Sequence, residues 1–277
     1  MPELPEVQTI VDDLKALGVI GSTITRVSVH WPRSIARLTP GDFTKKVCGR
    51  TIRHIDRRGK FIRFDLGQEL CMAVHLRMTG RFSLVSPNKK HDKHEHVYIG
   101  LGRLGQLRFH DTRKFGRFYL LEPDDPFFRR LGPEPLDDDL TAGRFHTMLG
   151  RRSRRLKPLL LDQTFIAGLG NIYVDEALWY ARIHPLVKSD SLDSKQASKI
   201  LGAIRKVLRK GLENAGTTLG QGEGNYASMR QGRGKNGGNL KVFRRTGLPC
   251  HRCGDPIERI IVGQRSTHLC PRCQPMD

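Results

Sequence analysis

The sequence predicts an α+β fold in two domains: an N-terminal helix with an antiparallel β-sandwich or barrel, then a helical domain ending in a small cysteine-bearing hairpin. Three observations carry this. Residues 24–121 hold short β-branched and aromatic stretches punctuated by Gly, Asp, Asn and Pro. Beyond residue 133 the apolar residues recur at helical spacing. Four cysteines cluster near the end as two C-x2-C pairs. A chain of 277 residues is long enough for two cores.

The elements follow in order. Val7, Ile10, Val11, Leu14 and Leu17 share one helical face, so residues 6–17 are read as a helix stopped by Gly18. The stretches "ITRVSVH", "KFIRFDL", "LCMAVHL", "RFSLV", "HVYIGL", "QLRFH" and "GRFYLL" are read as strands. The Pro- and Asp-rich "EPDDPFFRRLGPEPLDDDL" sets a domain boundary near residue 133. In "DQTFIAGLGNIYVDEALWYARIHP", Gly168 and Gly170 interrupt one helical segment and Asn171 is placed at the N-cap of the next. Lys195 to Asn214 forms a helix with Ile200, Leu201, Ile204, Val207 and Leu208 on one face. Eight glycines among residues 216–238 argue against a packed element and for a mobile loop.

Charge points to the partner. Lys and Arg number 48 against 28 Asp and Glu, a formal charge of +20. Such an excess repels itself, and a polyanion relieves it; nucleic acid is the expected one. An acidic membrane surface is the alternative, but no apolar run is long enough to span a bilayer, and no charged-then-apolar leader opens the chain. The expectation is an intracellular, cytoplasmic protein. The five cations of "RRSRRLKP" read either as a solvated face or as phosphate ligands.

"CHRC" at 250–253 and "CPRC" at 270–273, sixteen residues apart, match zinc-ribbon spacing. Each pair sets two thiolates on one side of a turn, and two pairs complete a tetrahedral shell. Cys250, Cys253, Cys270 and Cys273 therefore predict one structural Zn2+ in a closed site with no position left for catalytic water. Disulfides are the competing reading, disfavoured inside a cell. Cys48 and Cys71 read as small buried thiols. "HDKHEH" at 91–96 is rejected as a second metal site.

"MPELPEV", "RRGK" at 57–60, "HLRMTG" at 75–80, "HDTRKFG" at 110–116, "LGPEPL" at 131–136, "AGLGNIY" at 167–173 and "CHRC…QRSTHLCPRC" occur in this order. Together they resemble the formamidopyrimidine-DNA glycosylase family along nearly the whole chain. The resemblance implies a β-sandwich catalytic domain at 1–133. It implies a helix-two-turn-helix DNA-binding domain at 134–235, with the Gly-rich loop 216–238 over the flipped base, and a zinc finger at 240–277. It implies a monomeric, bacterial, nucleoid-associated base-excision-repair enzyme, both glycosylase and abasic-site lyase. Its substrate would be double-stranded DNA with an oxidised purine, 8-oxoguanine or a formamidopyrimidine, opposite cytosine.

The resemblance also implies site roles. Pro2, freed by removal of Met1, is the nucleophile; an α-amino group is far less protonated at pH 7 than a Lys, and a helix start depresses it further. Glu3 is the general acid/base, Glu6 supports it, and Lys60 assists. His75, Asn171 and Arg265 contact phosphate, and Lys157 lies near the damaged nucleotide. Met78, Arg113 and Phe115 fill the gap left by a flipped base. Taken without the resemblance, Glu3 and Glu6 are ordinary first-turn acids, and Met78 and Phe115 are core. The chain departs from the family at Gln8, Thr112 and Lys114, and its Gly-rich loop lacks the usual Arg-x-Tyr. The alternatives are an endonuclease VIII-like enzyme for oxidised pyrimidines and a zinc-bearing DNA-binding protein without chemistry.

Overall fold

The computed structural model describes residues 1–122, 125–220 and 226–276. The chain divides into two compact units, residues 1–128 with 214–235, and residues 129–213 with 236–277.

The first unit begins with helix α1, Leu4–Ala16. Pro5 favours the first turn, where its missing N–H costs no hydrogen bond. Glu3 is the N-cap, and Glu3 and Glu6 form a reciprocal capping box. Leu4, Val7, Ile10, Val11 and Leu14 are buried, as the helical spacing requires. The strands are β1 (Arg26–Val29), β2 (Ile35–Ala36), β3 (His54–Arg58), β4 (Phe61–Asp65), β5 (Cys71–His75), β6 (Arg81–Val85), β7 (Glu95–Gly100), β8 (Gln106–His110) and β9 (Arg117–Leu121). Among the described residues they form two sheets, ordered β1-β7-β8-β6 and β2-β9-β5-β4-β3. All pairings are antiparallel except β2 with β9.

One core joins both sheets and α1. Phe109 of β8 meets Phe118 of β9 edge-on at 5.0 Å, and Phe82 of β6 meets Phe64 of β4 at 6.2 Å. Two sheets sharing an interior make this a sandwich rather than a barrel. To the elements that the sequence predicts, the fold adds β2, β3 and helix α2, Pro40–Val47. Its start was nonetheless encoded: Thr39 caps the N–H of Asp42 at 3.1 Å, and Pro40 occupies the first turn.

The described residues on either side of 221–225 in the Gly-rich segment are packed, whereas the sequence predicts an unpacked loop. Tyr226 and Met229 lie against the sandwich core, and Thr217 bridges Lys235. The expected loop's residues 221–225 lie outside the described residues.

The second unit holds α3 (Ala142–Gly150), α4 (Leu156–Leu161), α5 (Asn171–Ala181) and α6 (Ser194–Glu213). Helix α5 is buried nearly all round and packs on α6. Its N-cap is Gly170, so Asn171 is the first helical residue rather than the cap. A two-stranded hairpin follows, β10 (Glu258–Val262) and β11 (Arg265–Leu269), with β11 against α5. Among the described residues, no helix is long and apolar enough to cross a membrane.

Candidate active site

Pro2, Glu3 and Glu6 are buried together at the start of α1. The Glu6 carboxylate is held at both oxygens. Its Oε2 accepts the Glu3 N–H at 2.8 Å, and its Oε1 accepts the Thr217 N–H at 2.7 Å. The Glu3 carboxylate in turn accepts the N–H of Glu6. Two carboxylates are thus fixed beside residue 2 by backbone donors, which orient without neutralising. Gly216 makes this approach possible. Its φ is +82°, and a Cβ there would lie 2.9 Å from Glu6 Cγ and 2.8 Å from the Tyr226 ring.

Lys60 sits in the turn between β3 and β4 and is only 5% exposed. The same turn is tied to α1. Arg57 donates to Gln8 Oε1 at 3.1 Å and to the Gly59 carbonyl at 3.0 Å. Gln8, the departure from the family pattern, therefore works as a neutral bridge between α1 and "RRGK". His75 ends β5 opposite Phe61, with the rings 4.7 Å apart. Its Nδ1 accepts the Arg77 N–H at 2.9 Å, so the proton of the neutral ring is on Nε2. Burial first, and then the nearby cations Arg77 and Lys60, lower its pKa to about 3. His75 is a neutral donor.

Met78 and Phe115, which core packing would hide, are 39% and 46% exposed. They occupy neighbouring turns, β5–β6 and β8–β9. The Arg113 guanidinium lies over the Phe115 ring at 4.9 Å. Asp111, a residue to which sequence reasoning gave no role, holds the two turns together. It is fully buried. Its Oδ1 accepts the Thr79 hydroxyl and the Arg113 N–H, and its Oδ2 accepts the Gly116 N–H at 2.7 Å. The Asp111 carbonyl accepts from His96 Nε2 at 2.8 Å, so a histidine of "HDKHEH" is used in structure. Gly116 is required because a Cβ would lie 2.3 Å from the Phe109 ring.

The second unit gathers Asn171, Lys157 and the β10–β11 turn. Asn171 Nδ2 and Lys157 Nζ both donate to the Ser266 carbonyl, at 2.8 and 3.0 Å, beside exposed Arg265. Lys157 is completely buried and pairs with Asp175 at 2.5 Å. Asp175 also accepts from the His268 N–H at 2.9 Å. A buried ammonium committed to a carboxylate presents no surface to a nucleotide; Lys157 instead braces the strand that carries Arg265.

Cys250, Cys253, Cys270 and Cys273 bring their sulfurs within 4.8 Å of one another. Burial opposes ionisation of Cys250, yet N–H donors, Arg252 and the Trp179 indole first among them, bring its pKa to about 6. Cys270 and Cys273 are pushed up by burial and by contacts among the sulfurs. Four thiolates this close need a cation, which fits a zinc ion. Two further residues dock this module on α5. Glu176 accepts the N–H groups of Lys241, Val242 and Phe243. Arg252 stacks on Trp179 at 3.7 Å and donates to the carbonyls of Trp179 and Tyr180 at the helix end.

Family models match three segments: the formamidopyrimidine-DNA glycosylase N-terminal domain at 1–118, its H2TH domain at 131–222, and a zinc finger found in FPG and IleRS at 247–275. The formamidopyrimidine-DNA glycosylase of Protochlamydia amoebophila is 47% identical over 274 residues, covering 99% of each chain. That of Herpetosiphon aurantiacus is 44% identical, covering 99% of this chain and 100% of its own. A Lactococcus lactis FPG mutant in complex with a Fapy-dG containing DNA superimposes with TM-score 0.92 at 35% identity, covering 99% of this chain and 100% of that one. The Lactococcus lactis Fpg with an abasic site containing DNA gives 0.91 with the same coverage. Fixed carboxylates near Pro2, turns that expose Met78 and Phe115, and a four-cysteine zinc site thus agree with sequence and fold, and the chain belongs to the formamidopyrimidine-DNA glycosylase family of DNA-repair enzymes.

Proposed function

We propose that the protein is a bifunctional glycosylase and abasic-site lyase that uses the Pro2 amine as nucleophile on oxidised purines in duplex DNA. One observation carries this reading: Pro2 stands at the head of α1, with Glu3 and Glu6 buried beside it and oriented by backbone N–H groups. Once Met1 is removed, the secondary amine attacks C1′. The new C–N bond forms as the glycosidic bond breaks, and the base leaves with that electron pair and a proton. Opening of the C1′–O4′ bond, with a proton from Glu3 to O4′, gives an iminium that is cationic without protonation. The iminium draws electrons as a proton leaves C2′, and the 3′-phosphate departs by β-elimination. A second elimination releases the 5′-phosphate. Hydrolysis of the imine frees the amine.

Lys60 and the neutral His75 offer cation and N–H donor to phosphates flanking the lesion, Asn171 and Arg265 to others. Met78 and Phe115 enter the emptied stack, and Arg113 reads the unpaired base, cytosine. Lys157 positions Arg265 rather than touching DNA. The relatives' complexes with Fapy-dG and abasic-site DNA support this substrate class. The enzyme acts as a monomer on the bacterial nucleoid. Borohydride should trap a covalent adduct on an 8-oxoguanine:cytosine duplex. Absence of an adduct, or an undiminished one in Pro2→Gly, overturns the mechanism. Faster cleavage of thymine glycol than of 8-oxoguanine overturns the purine assignment.

A further inference from the structure

Asp13 lies on the core-facing side of α1, seven residues after Glu6 and therefore on nearly the same stripe. It is 2% exposed. A buried carboxylate is costly unless hydrogen bonds replace its water. Among the described residues it has no cationic partner. Its side chain accepts instead from the Ser228 hydroxyl at 2.5 Å and the Met229 N–H at 2.8 Å.

Ser228 organises the segment at that point. Its hydroxyl, while donating to Asp13, accepts the N–H of Gln231 at 3.0 Å and, at the edge of range, that of Arg230 at 3.3 Å. Its own N–H donates to the Gly232 carbonyl at 2.6 Å. Residues 228–232 thus form a turn whose central hydroxyl is pinned to α1. At the other end of the segment, the Thr217 N–H is held by Glu6. Thr218 Oγ1 links the two arms, donating to the Tyr226 carbonyl and accepting the Gly234 N–H, each at 2.7 Å. Two carboxylates of one helix therefore hold both arms of the Gly-rich segment. One of them, Glu6, also orients the N–H of Glu3.

We infer that Asp13 is a positioning residue: it clamps residues 226–235 to α1, and so sets that stretch relative to the Pro2–Glu3–Glu6 end of the helix. This inference rests on the proposed function for its catalytic consequence, not for the clamp itself. Removing a base demands a site shaped around it, whereas cleaving an abasic strand needs only the amine and the carboxylates. Loss of the clamp should therefore affect base excision selectively.

The clamp is read by tryptic cleavage after Arg230 and Arg233, both exposed. Asp13→Ala and Ser228→Ala should be cut there at least fivefold faster than the parent chain, in that order of severity. The double variant should be no faster than Asp13→Ala. Single-turnover excision from an 8-oxoguanine:cytosine duplex should fall about tenfold or more in Asp13→Ala, with cleavage of a preformed abasic site unchanged within twofold. Unaltered proteolysis in both variants overturns the clamp. Excision and abasic-site cleavage that fall together, or excision that does not fall, overturn the positioning role. Should Asp13→Ala fail to fold, Ser228→Ala, which keeps the carboxylate, decides by the same readouts. If the parent chain gives no borohydride adduct on either duplex, the proposed function fails while the proteolysis still decides the clamp.

Discussion

The imidazole of His75 shows how strongly one side chain's chemistry depends on its surroundings. Buried beside Arg77 and Lys60, it has a pKa of about 3 instead of the usual 6.5. Between those values the unfolded chain binds a proton that the folded chain refuses. Folding stability therefore rises with pH across this window and is lost as pH falls from about 6.5 toward 3. The His75→Gln variant should show a shallower loss of melting temperature between pH 7 and 4 than the parent chain. An equal slope in both would mean that the ring is not buried neutral. Asp111 makes a complementary point. Its side chain is fully buried, and it sets where Met78, Arg113 and Phe115 stand by accepting three hydrogen bonds from their turns.

At the scale of elements, the cysteine module illustrates a hairpin that depends on its ligand. β10 and β11 are too short to be stable alone. They are held by Lys157 and Asn171 on one side and by the four sulfurs on the other. The chain should carry one zinc per molecule by elemental analysis. Its removal with a strong chelator should weaken duplex binding at least tenfold. The Trp179 indole donates to Cys250 at 3.4 Å, so the same treatment should alter the tryptophan emission. Retained affinity after proven metal loss would show that the helix-borne contacts hold the hairpin unaided. Helix α1 is the other organising element. One face fills the sandwich core, while its start carries the groups proposed to react and its buried acids hold the described residues on either side of the Gly-rich segment.

For the whole molecule, charge is the governing quantity. With a formal excess of +20, duplex affinity should fall steeply with salt as condensed counterions are released. The slope separates charged from neutral contacts. Arg265→Ala should reduce the log–log salt slope by about 1. A His75→Ala change should weaken binding and leave the slope unaltered, because a neutral imidazole displaces no counterion. A slope reduced by about 1 in His75→Ala would mean that the ring is protonated when bound.

Taken alone, the sequence determined whatever depends on near neighbours. The face of α1 is readable from Val7, Ile10, Val11 and Leu14, most strands from β-branched and aromatic runs, and the zinc quartet from two C-x2-C turns. The order of the motifs carried the family. Tertiary structure decided everything that depends on a distant partner. Asp13 and Asp111 carry no local signal of burial; Ser228 and Gly116, distant or across a turn, supply their hydrogen bonds. Lys157 reads as a contact near the damaged nucleotide, whereas in the fold it is buried on Asp175. The described residues of the Gly-rich segment read as unpacked because glycine has no side chain to show periodicity. They are ordered by carboxylates on a helix some two hundred residues earlier, and local pattern cannot encode the burial of a charge whose compensation lies that far along the chain.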